Sequence, residues 1–139
     1  MELKGSVFLT SSTTGTSGVV SDIAFQVASA AGGESIDLTP GKTFIKYTDD
    51  TQSKIFQSTA GFTVTALGTA DSDKLLEHNE VYEVQLIDLE TSLGTGNDML
   101  TNDLQTNITF SIEVIPPSGA VLFIERTIPV FLDTTTSLN

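Results

Sequence analysis

Apolar and polar side chains alternate with a period of two along three stretches of the chain. Ile23, Phe25 and Val27 share one parity against Asp22 and Gln26. Tyr82, Val84 and Leu86 alternate with Glu83 and Gln85, and Ile108, Phe110, Ile112 and Val114 alternate with Thr109, Ser111 and Glu113. Successive side chains of an extended strand point to opposite faces, so each stretch predicts a strand with one face on a core and one in water.

Shorter runs add strands at Val7–Leu9, Thr43–Tyr47, Lys54–Phe56, Gly61–Thr65 and Val121–Ile124. The turn-rich clusters at Thr13–Gly18, Gly32–Gly33, Thr48–Thr51, Leu93–Asp98 and Pro116–Gly119 separate them. About eight short strands predict an all-β fold, an antiparallel immunoglobulin-like β-sandwich or barrel. No long amphipathic helix is found; single helical turns are expected at Ser35–Leu38 and Asp98–Asn102, either of which reads equally well as loop. The residues on the consistent parity form the expected core: Phe25, Val27, Ile45, Tyr47, Val64, Tyr82, Val84, Leu86, Phe110, Ile112 and Val114. One strand departs from this rule. Leu122 and Ile124 face one side and Val121 and Phe123 the other, so both faces are apolar and the second needs a cover, for which the chain's own loops are the first expectation.

At 139 residues and 39% hydrophobic content the chain suits one domain, residues 1–139, with its own core. Abundant Ser, Thr and β-branched residues fit the strand pattern. Eighteen carboxylates against six basic residues give a formal charge of −12, which repels a phosphate backbone. With no basic stripe, nucleic acid is excluded as a partner. Cysteine is absent, so no disulfide or thiolate metal site contributes. No apolar run approaches the ~20 residues that span a bilayer, and no membrane contact is expected of this segment.

Candidate chemistry is sparse. His78 is the single histidine and sits in Leu76-Glu-His-Asn-Glu80, a solvated turn; alone it builds neither a triad nor a histidine-rich metal site. Asp49-Asp50, Asp71-Ser72-Asp73 and Asn97-Asp98 are the groups able to collect a hard cation, but they follow no calcium-loop spacing and are ordinary turn formers. No catalytic residue, cofactor site or metal site is therefore assigned, and the glycines are turn punctuation, not a phosphate loop. Asn107-Ile108-Thr109 is an N-glycosylation sequon whose odd positions face away from the expected core, as a glycan acceptor must.

Several separated segments together resemble archaeal flagellins (archaellins). Met1–Val27 has the cadence of strand, Ser/Thr/Gly turn and second strand. Ala30-Ala-Gly-Gly-Glu-Ser-Ile-Asp-Leu38 ahead of Thr43-Phe-Ile-Lys-Tyr-Thr-Asp-Asp50 is similar to that family, as is the strand entry Leu76-Glu-His-Asn-Glu-Val-Tyr-Glu-Val84. The best match is the end of the chain: Phe110-Ser-Ile-Glu-Val114, Pro116-Pro-Ser-Gly-Ala120 and Ile124-Glu-Arg-Thr-Ile-Pro129. The long apolar N-terminal helix of full archaellins has no counterpart here.

That resemblance implies the outer globular head of a structural filament subunit, with self-association into a helical filament in place of catalysis, on the outside of an archaeal cell. An archaellin-like accessory protein that binds the cell envelope is the alternative within the same resemblance. A secreted carbohydrate-binding or adhesin module is the alternative outside it, and calls for an exposed Trp or Tyr platform. The chain has no Trp, and Tyr47 and Tyr82 both fall on inward strand positions.

Overall fold

The computed structural model describes residues 1–92 and 99–139. These described residues form eleven strands: β1 (Glu2–Thr13), β2 (Val19–Ala28), β3 (Ile36–Asp37), β4 (Phe44–Thr48), β5 (Ser53–Phe56), β6 (Phe62–Leu67), β7 (Leu75–Leu76), β8 (Val81–Leu86), β9 (Thr109–Ile115), β10 (Leu122–Thr127) and β11 (Thr135–Leu138). A five-stranded sheet runs β11-β1-β2-β8-β6 and a four-stranded sheet runs β10-β9-β4-β5, with β3-β7 as a small third ladder. Every strand pairing is antiparallel.

The alternation read from the sequence is what closes the sandwich. Ile23, Phe25 and Val27 on β2 lie beside Leu86, Val84 and Tyr82 on β8, all buried. In the other sheet Ile45 and Tyr47 on β4 lie beside Val114 and Ile112 on β9, with Phe110 two residues further along β9, on the same face. These two inner faces contribute to one continuous hydrophobic cluster. Ten of the eleven expected core residues are buried there. Val64 is the exception, half-buried, because β6 is the edge of its sheet and has a neighbour on one side only.

The strand count differs from the expected eight for local reasons. The helical turn expected at Ser35–Leu38 is strand: Ile36 and Asp37 pair with Leu76 and Leu75, a partner distant in sequence. The other expected turn, Asp98–Asn102, is loop over its described residues 99–102, the alternative reading, while Asp98 and the glycine cluster Leu93–Asp98 lie outside the described residues. The polar tail forms β11 on the free edge of β1, pairing Thr135–Leu138 with Val7–Thr10. Finally, β1 is far longer than Val7–Leu9. It changes register against β2 between Lys4 and Phe8, with Gly5 at a φ of 75° inside the irregularity. A bulge of this kind lets a long strand twist and re-aim its side chains, and the left-handed backbone there favours glycine.

Candidate functional site

The two faces of strand β10 are unlike. Ile124 is buried and Leu122 partly so, while Phe123 is 58% exposed and Val121, just before the strand, 49%. Among the described residues, the expected cover by the chain's own loops is absent over these two side chains. Their parity simply carries them to the outer face of the four-stranded sheet.

Strand register shows what shares that face. Phe123 pairs with Glu113, Glu113 with Lys46, and Lys46 with Ile55, making one row across all four strands. In the next row Phe44 pairs with Ile115. Phe44 and Ile55 are exposed as well. Within this apolar field Lys46 Nζ lies 3.3 Å from Glu113 Oε2, so the two charges in its centre offset each other. A second exposed apolar pair, Val130 and Phe131, follows β10. It is held by reciprocal backbone hydrogen bonds between Leu132 and Gly15, at 2.8 and 3.0 Å.

Of the loops expected to be candidates for a cation, Asn97-Asp98 lies outside the described residues, and in the other two Asp49, Asp71 and Asp73 accept hydrogen bonds from within their own turns. Asp49 turns the β4–β5 hairpin: its Oδ1 accepts from the backbone N–H groups of Thr51 and Gln52 and from the Thr51 hydroxyl, and its Oδ2 from Tyr47 and Gln52 side chains. Partial burial pushes its pKa up, but these donors outweigh it and hold the carboxyl below its usual range. Asp71 and Asp73 likewise accept backbone N–H groups two residues on, as turn-forming aspartates do. Among the described residues no three His, Asp or Glu side chains converge as metal ligands. His78 is exposed in a turn.

Both tyrosines are fully buried, with their hydroxyls in use. Tyr47 donates to Asp49 and Tyr82 to the backbone carbonyl of Asp71 at 2.6 Å. Burial first, and neighbouring carboxylates second, raise both phenol pKa values, that of Tyr82 to about 12. Neither ring is available as a sugar-stacking platform.

Asn107 is exposed, though for a different reason from the expected one. It precedes β9 in a turn with φ at 63°, a conformation asparagine tolerates, and its backbone N–H donates to the carbonyl of Ile128 at 3.1 Å. Thr109, the third sequon residue, is exposed at the start of β9. Strand parity therefore governs Thr109 and not Asn107. Sequence reasoning also missed the Val130–Phe131 projection, for which the signal is the apolar run Val130-Phe131-Leu132 after Pro129 at the head of the polar tail.

The model of the archaeal-type flagellin family matches residues 1–126. The chain belongs to the archaeal-type flagellin family. Probable flagellin 2 of Archaeoglobus fulgidus is 34% identical over 123 residues, covering 84% of this chain and 56% of that protein. The chain thus spans little more than half the length of this curated flagellin relative. Among solved structures, the crystal structure of archaeal flagellin FlaB1 from Methanocaldococcus jannaschii superposes with a TM-score of 0.75 at 16% identity, covering 99% of this chain and 94% of that one. The archaeal flagellum of Methanospirillum hungatei strain JF1 superposes at 0.58 and 19% identity, over 92% of this chain and 64% of that one. At these identities the likeness is one of fold, and it is the flagellin β-sandwich fold.

Proposed function

We propose that this flagellin-family chain is the outer globular part of a structural subunit of an archaeal motility filament, acting outside the cell by assembly with further copies and not by catalysis. The observation that carries the reading is the family match over residues 1–126, joined to a sandwich whose exposed chemistry is apolar faces and acidic loops. A dense negative charge keeps such a surface soluble and resists indiscriminate association. Peptide mass spectrometry of filaments sheared from the native host tests it. Peptides of this chain are expected as stoichiometric filament components. Their confinement to the envelope fraction would instead assign the chain to an accessory, envelope-binding role.

In the native host Asn107 carries an N-linked glycan. Its support is the sequon, the exposure of Asn107 and Thr109, and the turn that holds Asn107 clear of the sheet. The native peptide containing Asn107 is expected to show a glycan mass; an unmodified peptide throughout the population would remove the assignment.

A further inference from the structure

The two exposed apolar patches lie at opposite ends of β10. Phe123, Val121, Phe44 and Ile55 occupy the outer sheet face toward the β9–β10 turn, while Val130 and Phe131 project beyond the strand's other end. The five residue steps from Phe123 to Ile128 alone span ~17 Å of extended chain. Resting on the reading of the chain as a filament subunit, we infer that these patches are the two halves of one head-to-tail contact: the Val130–Phe131 projection of one copy seats on the Phe44–Ile55–Phe123 face of the next.

Charge selects a second copy as the occupant. With Lys46 and Glu113 paired, Glu125 is the one uncompensated charge among the strand residues of that sheet face, although the chain carries −12. The segment from Pro129 to Leu132 is uncharged. Two acidic copies therefore meet with least repulsion where these surfaces face each other. A basic partner would favour the carboxylate-rich remainder, and an anionic lipid surface would be repelled by it.

Geometry selects the head-to-tail mode. Joining the sheet face to itself closes a two-fold dimer, ends growth and leaves Phe131 in water. Joining the two different patches buries both and leaves each new copy with a free end, the condition for an open helical polymer. The projection is already ordered, since the Gly15–Leu132 hydrogen bonds anchor it, so little conformational entropy is lost on docking. Exposed side-chain area on the sheet face amounts to roughly 300–400 Å². A stable pairwise interface buries about 800 Å² per partner, so the isolated contact is weak.

Sedimentation velocity on this chain, across a concentration and salt series, tests the inference. The wild type is expected to associate weakly and more strongly as salt shortens the Debye length to ~3 Å at about 1 M. Phe123→Ser and Phe131→Ser are each expected to weaken self-association at least tenfold with unchanged thermal melts, both rings being exposed. Mixing the two variants is expected to restore a 1:1 dimer and nothing larger, because each retains the half its partner lacks. Wild-type association by Phe131→Ser, a mixture no better than its components, or a wild type monomeric at every salt would overturn the head-to-tail contact. Those results would leave the filament reading to the peptide composition of sheared filaments.

Discussion

Replacing Phe110 with Ala tests whether the parity of β9 builds the core. The ring is 1% exposed and lies nearly parallel to Tyr47, with centroids 6.1 Å apart and an interplanar angle of 12°. Truncating a buried Phe costs ~3–5 kcal/mol through lost transfer energy and the cavity left behind. Loss of the aromatic pair, about 1 kcal/mol, moves the expectation to the upper half of that range, near 4–5 kcal/mol. At roughly 4 °C per kcal/mol for a domain of this size, the thermal midpoint should fall by about 15–20 °C. Urea unfolding of wild type and variant, with equal slopes, measures the change directly. Phe123→Ala is the paired control: on the outer face of the adjacent strand it should change stability by no more than ~0.5 kcal/mol. A loss below about 1 kcal/mol for Phe110→Ala, or an equal loss for Phe123→Ala, would show that the inner and outer faces are assigned wrongly.

Asp49→Ala removes the acceptor of five hydrogen bonds in the β4–β5 hairpin, including that of the buried Tyr47 hydroxyl, and should cost about 2–3 kcal/mol by denaturant unfolding. Asp37 is held at about 2, below its ordinary 3.8, first by its hydrogen bond from Lys42 at 2.8 Å and then by Thr39. Because the folded value is the lower one, its stabilisation is complete above about pH 4 and disappears as pH falls toward 2. Melts of wild type against Asp37→Asn should converge over that window, starting from a gap of about 1 kcal/mol once solvent screening of the exposed lysine is allowed for. Gly18→Ala places a methyl 2.8 Å from both Leu132 Cβ and the Thr13 carbonyl oxygen, so it should lower stability by ~1–3 kcal/mol in the same unfolding assay.

Local alternation was enough to define the all-β class, the inner faces of β2, β8 and β9, and ten buried side chains, because a period of two assigns residues to faces without knowledge of the partner strand. Turn chemistry likewise placed His78, Asp49-Asp50 and Asp71-Ser72-Asp73 in the turns between strands where they are found. The cadence of strands and turns also sufficed to identify the family, since that resemblance is carried by strand-forming patterns and not by reactive groups.

What alternation could not reach was anything created by pairing distant segments. Ile36–Asp37 is strand only because Leu75–Leu76 lies beside it, and the Thr-rich tail is strand only because β1 offers a free edge. Leu89, Leu100, Leu104 and Leu132 are buried from loops, where no period marks them and the enclosing sheets alone decide. The same limit applies to the outer surface. The sequence by itself determined that Val121 and Phe123 share a face opposite Leu122 and Ile124. Only the tertiary structure decided that this face stays open, because cross-strand register brings Phe44, Ile55 and Ile115 onto it and no loop among the described residues folds over Phe123.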